Sequence, residues 1–313
     1  MSHKSISIII PTAGSRSPKM LERTLSSLAD EKLPDRKIEI IVIENGNSYG
    51  CDAICRKLSK RLPILYKFLP HPNVSLARNL GISTSTGDLL IFFDDDIRFS
   101  GKCIENYSIA YEQFGENHFY GGPVKIDYES PPDNSLMPFL PLSAKGLDFG
   151  DEIVEVSDKS VLFLGANLAI PRVQLEKLGT YDSHGPNGIN SGFIGEETRL
   201  QIRLMNNGLT GLFLPNALIW HYVPTDSCNL SWLKKRYYRM GLTEGALLKS
   251  TENIATIFGM PRYAIRQIII NFFEISVTAL SEPNNQKRIS ALLERQRLAG
   301  LISSFLKGIN QTQ

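Results

Sequence analysis

The first hundred residues of the chain alternate between short apolar runs and segments with helical periodicity. The apolar runs are "SISIIIP" at 5–11, "KIEIIVIENG" at 37–46, "ILYKFL" at 64–69 and "GDLLIFFDDD" at 87–96. Strands that are apolar on both faces and separated by helices are typical of a parallel sheet covered by helices on both sides. The pattern therefore predicts an α/β protein with a purely parallel central sheet.

Polar residues follow three of these runs. Thr12 directly follows the first run, Glu44 and Asn45 end the second, and three aspartates at 94–96 end the fourth. The carboxyl ends of parallel strands meet at one edge of the sheet, where ligands bind in proteins of this class. These residues are therefore predicted to share one binding edge.

The three aspartates in "IFFDDDIRFS" follow an apolar run directly, although their charges repel one another. Asp94 and Asp96 are two residues apart, so in extended chain they face the same way, whereas Asp95 faces the opposite way. Mg²⁺ and Mn²⁺ prefer carboxylate oxygens and commonly share them with substrate phosphates. The motif indicates either a metal site with a neighbouring ligand contact, or a strand end with solvated acids.

Three further motifs are open to two interpretations each. Glu196 and Glu197 begin the helical pattern "EETRLQIRLMNNG", where a general base and a simple helix-dipole contact both fit. Arg78 in "NVSLARNLG" is either a phosphate partner or a solubilising side chain. His221 in "NALIWHYV" is either a metal ligand or a hydrogen-bonded structural histidine.

Taken in order and spacing, these motifs resemble the family 2 glycosyltransferases, which have the GT-A fold. The resemblance covers about residues 5–222, and its most specific parts are the A-R-N-x-G stretch before the aspartates and the G-E-x-x-x-L helix. It implies one α/β nucleotide-sugar-binding domain over residues 1–222, with a mixed, mainly parallel central sheet. A basic, helical C-terminal extension would follow over residues 223–313.

The resemblance also implies a role for each motif. The implied nucleotide-sugar contacts are Pro11, Thr12, Glu44, Asn45, Arg78, Asp94 and Asp95. The implied metal ligands are Asp96, Asp94 and His221, for Mn²⁺ or Mg²⁺. Glu197 matches the catalytic base and Glu196 precedes it, so either carboxylate is a candidate.

The implied reaction is the metal-dependent transfer of a sugar, with inversion, from a nucleotide-diphospho sugar to a hydroxyl group. A UDP-sugar is the expected donor, and the acceptor would be a glycan, a lipid-linked sugar or a small molecule. The chain departs from the family at Glu44-Asn45, where many members have two aspartates, and at Glu197, where they generally have aspartate. The second departure keeps an alternative open, a catalytically silent sugar-nucleotide-binding or scaffolding protein.

Composition limits the setting of the protein. Its 313 residues are 42% hydrophobic and 21% charged, as in an ordinary soluble globular protein, and no run of about 18 apolar residues occurs. The N-terminal apolar stretch is too short for a signal peptide, so a cytoplasmic location is predicted. The four cysteines lack a second pair at zinc-ligand spacing, which favours reduced, structural thiols.

The C-terminal part is basic, with 12 Lys and Arg against 6 Asp and Glu in residues 222–313, whereas residues 1–221 carry 22 against 26. One interpretation is a helical subdomain that packs on the catalytic domain or on a second copy of the chain. The other is peripheral contact with the inner face of the membrane through "SWLKKRYYRM" at 231–240. No nucleic-acid-binding motif accompanies these charges. The acceptor is expected to be chosen by the loops at 123–160 and 183–194 and by this C-terminal part.

Overall fold

The computed structural model describes residues 4–14, 16–159, 161–182, 195–249, 256–257, 260–278 and 285–309. The glycine-rich loop at 183–194, predicted to help select the acceptor, lies outside these ranges. The strands are β1 (Ile6–Thr12), β2 (Ile38–Asn45), β3 (Ile64–Leu69), β4 (Leu89–Phe93), β5 (Ile97–Phe99), β6 (His118–Gly121), β7 (Val124–Tyr128), β8 (Val154–Val156), β9 (Asn167–Pro171), β10 (Thr210–Phe213), β11 (Ile219–Val223), β12 (Thr256–Ile257) and β13 (Met260–Pro261). The α-helices are α1 (Ser17–Ala29), α2 (Cys51–Leu58), α3 (Val74–Thr84), α4 (Cys103–Phe114), α5 (Leu142–Lys145), α6 (Arg172–Leu178), α7 (Glu196–Asn206), α8 (Leu230–Lys249), α9 (Arg262–Thr278) and α10 (Gln286–Ile309).

The chain forms two compact units. Unit 1 comprises residues 1–127, 145–184 and 195–222, and unit 2 comprises residues 128–144, 185–194 and 223–313. Unit 1 contains the main sheet and the predicted binding edge. Unit 2 contains the C-terminal helices.

The main sheet has eight strands in the order β3-β2-β1-β4-β9-β6-β10-β8. The strands β3, β2, β1 and β4 are parallel neighbours, but β9 runs antiparallel to both β4 and β6, and β8 runs antiparallel to β10. The mixed sheet implied by the family resemblance is therefore confirmed, and the purely parallel sheet predicted from the apolar runs is wrong. The reason is that β9 is as apolar and buried as its parallel neighbours, so composition carries no information about its direction.

Alternate residues of the central strands face the two sides of the sheet. On one side Ile8 and Ile10 pack with α1, α2 and α4, and on the other Ile9 and Phe92 pack with α3, α6 and α7. The apolar side chains on both faces are buried, and each fully buried one contributes about 1.5–3 kcal/mol. The burial fixes the register, because a slip by one residue would exchange the two faces.

The segment 123–160, predicted as a long loop, contains β7, α5 and β8. The strand β8 pairs with β10, and β7 lies beside β11 in a second sheet of order β5-β11-β7. The partners of both strands lie far along the chain, so local patterns did not reveal them.

The C-terminal helices pack closely through small residues. Gly241 of α8 contacts α10 so closely that a Cβ at this position would lie 1.8 Å from the Arg297 carbonyl oxygen. Likewise, a Cβ at Gly300 would lie 2.0 Å from the Tyr238 carbonyl oxygen. Arg297 joins the three helices, since its guanidinium binds Glu294 at 2.6 Å, Gln267 at 2.8 Å and also Glu244.

Among the helices of the described residues, none has the length and apolar character needed to cross a bilayer.

Replacing Gly241 by Ala is expected to destabilise unit 2 by about 1–3 kcal/mol, because the new methyl group forces α8 and α10 apart. Alanine is intrinsically the better helix former by about 1 kcal/mol, so any loss measures the steric conflict. Chemical denaturation followed by far-UV circular dichroism would measure it. Met240→Ala, one residue earlier and 38% exposed, is the control. Equal stability of Gly241→Ala and the wild type would contradict the close contact.

Candidate active site

The carboxyl ends of three parallel strands meet at an open cavity in unit 1. Register pairs Thr12 at the end of β1 with Glu44 near the end of β2, and β4 ends at Phe93, directly before the three aspartates. The cavity has a volume of about 220 Å³. It is lined by Pro11, Thr12, Ala13, Asn45, Val74, Asp94, Asp95 and Asp96.

Asp95 faces the end of β1. Thr12 Oγ1 donates a hydrogen bond to Asp95 Oδ2, and Asn45 Nδ2 donates to the Thr12 carbonyl oxygen at 3.1 Å. Thr24 of α1 donates from Oγ1 to the Asp95 carbonyl oxygen at 2.8 Å. These bonds hold the chain after β4 against β1 and α1. The Asp95 side chain therefore forms part of the cavity wall next to β1, whereas the side chains of Asp94 and Asp96 point in other directions.

Asp94, Asp96 and His221 form a group suited to a metal ion. One potential ligand atom from each lies within 4.8 Å of the other two, and His221 Nε2 is 3.2 Å from Asp96 Oδ1. The backbone sets this contact, because the Tyr222 N–H donates to the Asp96 carbonyl oxygen at 2.9 Å and His221 pairs with Ile97. Two carboxylates and one imidazole at the rim of a cavity fit a divalent cation such as Mn²⁺ or Mg²⁺. The structure thus brings the three predicted ligands together.

Arg78 is buried and connects two acidic residues. Its Nη2 lies 3.2 Å from Asp94 Oδ1 and its Nη1 lies 2.9 Å from Glu196 Oε1. The guanidinium carbon also lies 5.2 Å from the centre of the Tyr181 ring, a cation–π contact. Arg78 therefore joins the strand end after β4 to the first turn of α7.

The second acid of α7, Glu197, lies beside this ion pair. A Cβ at Gly165 would be 3.2 Å from Arg78 Nη2 and 3.3 Å from the Glu197 Cβ, so both side chains approach the same backbone. Burial and the neighbouring Glu196 carboxylate raise the pKa of Glu197 to about 7, against the attraction of Arg78. A glutamate that titrates near neutral pH can accept a proton and release it under working conditions.

The position of Glu197 depends on a buried glutamine one turn later in α7. Gln201 Nε2 donates to the Phe163 carbonyl oxygen at 2.9 Å, and its Oε1 accepts from the Phe163 N–H at 2.9 Å. The helix starts after Gly195, whose φ of 87° is left-handed and suits glycine. The hydrogen bonds of Gln201 and the left-handed conformation of Gly195 together fix the position of the first turn of α7.

Glu44 has a different environment from the cavity residues. It is fully buried, its Oε2 accepts from the Tyr66 hydroxyl at 2.5 Å, and its Oε1 accepts from the Tyr49 N–H at 2.6 Å. It is not among the described residues that line the cavity. Contact between Glu44 and a nucleoside stays a prediction.

Sequence reasoning did not single out Ala13, Val74, Gly165 or Tyr181. Val74 directly follows the N-cap Asn73 of α3, and Tyr181 lies in the segment after α6, far along the chain from Arg78. A tyrosine or a small residue in such segments carries no periodic or motif signal, so only the tertiary structure reveals its neighbours.

The sheet order, the cavity at the strand ends and the Asp-Asp-His group together define an α/β fold of the GT-A type. The model of the family "Glycosyl transferase family 2" matches residues 7–164. The chain belongs to this family and is a glycosyltransferase.

Related proteins agree with this assignment. The chain is 31% identical over 255 residues to the succinoglycan biosynthesis protein ExoM of Rhizobium meliloti, an alignment that covers 79% of this chain and 77% of ExoM. It is 23% identical to the probable glycosyltransferase YdaM of Bacillus subtilis, over 75% of this chain but 54% of YdaM. Among solved structures, the mannosyltransferase PcManGT from Pyrobaculum calidifontis, in complex with GDP-Man and Mn²⁺, has a TM-score of 0.60 at 13% identity. The superposition covers 98% of this chain and 88% of PcManGT, and it shows a common fold.

The raised pKa of Glu197 predicts a pH-dependent effect of Glu197→Gln. Because the folded-state pKa of about 7 lies above the ordinary value of 4.5, the folded protein loses stability as pH rises from the lower value to the higher one. Glutamine resembles the protonated acid, so the variant should match the wild type near pH 5 and melt a few degrees higher near pH 8. Thermal melts at both pH values would test this.

Glu152→Gln, the same change at an exposed position, controls for the loss of one negative charge. If the melting temperatures of Glu197→Gln and the wild type differed by the same amount at both pH values, the expectation would be wrong.

Arg78→Met should destabilise the protein by about 3–5 kcal/mol, because it leaves the Asp94 and Glu196 carboxylates without their buried cation. Urea denaturation would measure the loss. Arg56→Met removes an exposed arginine whose side chain is 74% accessible, and it should change stability by less than about 1 kcal/mol. Similar losses of stability in the two variants would contradict the role of Arg78 as the buried cation that joins Asp94 and Glu196.

Proposed function

We propose that the protein is a metal-dependent, inverting glycosyltransferase that uses a nucleoside-diphospho sugar. The observation that carries this proposal is the group of Asp94, Asp96 and His221 at the cavity rim, joined through Arg78 to the acidic first turn of α7. One end of this arrangement is suited to a metal-bound diphosphate, and the other end offers a base. Such a pair of functions is what sugar transfer from an activated donor requires.

The cavity would hold the nucleoside. Asn45 Nδ2 already donates to the Thr12 carbonyl oxygen, which leaves its Oδ1 as the group that can accept from a base. The ring N–H of uracil could donate to this oxygen, and the ring N–H of guanine or thymine could do the same. We propose a UDP-sugar as donor, with a GDP-sugar as the second choice. The GDP-Man bound by PcManGT supports the second choice.

A divalent cation held by Asp94, Asp96 and His221 would supply positive charge to the leaving diphosphate. The protein's own contributions follow from its charges. Asp96 and His221 would face the cation, while Arg78 holds Asp94 in place through their ion pair. Because Arg78 is occupied by two carboxylates, it would act as a positioning residue and not as a direct phosphate ligand.

Glu197 would be the base. The Glu196 carboxylate is bound to Arg78, and Glu197, with its pKa of about 7, is the acid better suited to take a proton. The acceptor hydroxyl oxygen would attack the anomeric carbon from the face opposite to the diphosphate as its proton passes to Glu197. The bond from the anomeric carbon to the phosphate oxygen would break in the same displacement, which inverts the configuration.

The acceptor is proposed to be a sugar hydroxyl of a growing glycan, free or lipid-linked, or of a small molecule. The similarity to ExoM, a succinoglycan biosynthesis protein, supports a polysaccharide acceptor. We further propose that the predicted domain division at residues 222 and 223 separates this chemistry from the role of the C-terminal helices.

Two substitutions should separate donor binding from turnover. With about a hundredfold excess of a UDP- or GDP-sugar over its Kd, the wild type gains about 2.7 kcal/mol in the presence of Mn²⁺, because the donor binds only the folded state. Asp96→Ala should lose this gain, since a metal ligand is missing. Glu197→Gln should keep the gain but lose about 10²–10⁴-fold in turnover. Thermal shift and release of the nucleoside diphosphate would measure the two effects.

Asp151→Ala, which removes an exposed acid from unit 1, is the control and should behave as the wild type. Full turnover by Glu197→Gln would refute Glu197 as the base. Donor binding by the wild type without transfer to any acceptor would support the alternative, a catalytically silent sugar-nucleotide-binding protein.

A further inference from the structure

Five large apolar side chains on one part of α9 are exposed. They form what we call the α9 apolar face, namely Ile269, Ile270, Phe272, Phe273 and Val277, with exposed fractions between 44% and 79%. The Phe272 and Phe273 rings contact each other edge to face, with centroids 6.0 Å apart. Single exposed apolar residues are common on soluble proteins, but a contiguous group on one helix marks a surface that binds something.

The opposite side of α9 is already occupied by α10. Asn271 is buried, and its Nδ2 donates to the Ala291 carbonyl oxygen of α10 at 2.9 Å. Ala264, also buried, packs against Leu298 and Leu301 of α10. Since these contacts fix the rotation of α9 within unit 2, the apolar face cannot turn inward without breaking them.

Positive charge continues the exposed side of the helix. Arg262, Arg266, Ile269, Phe273 and Val277 are spaced four, three, four and four residues apart, so they lie along one line of the helix surface. Both arginines are exposed, and α9 has one acidic residue, Glu274. The helix therefore presents arginines at its N-terminal end and aliphatic and phenyl groups toward its C-terminal end.

We propose that the α9 apolar face binds the surface of an anionic lipid bilayer. The phenyl rings would enter the boundary between headgroups and acyl chains, and Arg262 and Arg266 would lie among the anionic headgroups. Charge favours a membrane over a second copy of the chain. Residues 222–313 carry twice as many basic as acidic residues, so two copies repel each other and an anionic surface attracts each of them.

The proposed surface differs from the one that the sequence suggested. In α8, Trp232, Tyr237 and Tyr238 are half-buried, and the Arg236 guanidinium lies 5.5 Å from the Trp232 ring centre. These aromatic groups contribute to packing within unit 2. The exposed apolar surface lies on α9, whose basic residues are fewer but adjacent to it. This inference is independent of the reaction proposed for unit 1.

Vesicle flotation with the full-length chain tests the proposal. The protein should float with phosphatidylcholine vesicles that contain about 30% phosphatidylglycerol and should bind pure phosphatidylcholine much more weakly. Raising the salt to about 0.5 M should weaken binding, because it screens the arginines. The double variant Phe272→Ser/Phe273→Ser should lower the partition coefficient about tenfold or more, since two phenyl groups no longer enter the bilayer.

Arg262→Gln/Arg266→Gln should reduce binding to anionic vesicles and make it less sensitive to salt. Ile109→Ser, at a 53% exposed position of α4 in unit 1, is the matched control and should float as the wild type does. Circular dichroism of every variant would show that the fold is kept. No flotation of the wild type, or equal flotation of Phe272→Ser/Phe273→Ser, would overturn the proposal. The proposal would also be overturned if analytical ultracentrifugation showed a wild-type dimer that Phe272→Ser/Phe273→Ser converts to a monomer while flotation stays unchanged.

Discussion

The contact of Arg78 with Asp94 and Glu196 is the interaction on which the candidate active site depends. Three charged groups lie together at the edge of a dry core, where an unpaired charge is strongly destabilising. The single guanidinium satisfies a carboxylate from the strand end after β4 and one from the start of α7. Two segments more than a hundred residues apart in the chain are thereby held in one arrangement.

This arrangement also gives the acidic residues different properties. Partial burial raises the pKa of the Asp94 carboxyl, and Arg78 opposes that shift. Glu196 has its cation, whereas Glu197 lies beside the same cation without a direct ion pair to it, and its pKa rises to about 7. Adjacent residues of one helix turn can therefore serve different purposes, one structural and one chemical, because their environments differ.

The two units use apolar surface in different ways. Unit 1 buries its apolar strands between helices on both sides, so its open surface at the strand ends is polar and acidic. In unit 2, close glycine contacts, Arg297 and a small apolar cluster join three helices, and α9 keeps large apolar groups exposed. The polar, acidic surface of unit 1 suits a charged, soluble donor with its cation. The exposed apolar side chains of α9 suit an apolar environment.

The sequence by itself determined the first four strands, β1 to β4, and the residues that could act. Apolar runs ending in Thr12, Asn45 and the aspartates placed these groups at one edge, because parallel strands end together and this follows from local pattern alone. Only the tertiary structure decided the direction of β9, the strands within 123–160, and the partners of Arg78. Those features depend on contacts between residues distant in the chain, which leave no periodic trace in the sequence. The same holds for α9, since only its packing against α10 showed which side of this helix remains exposed.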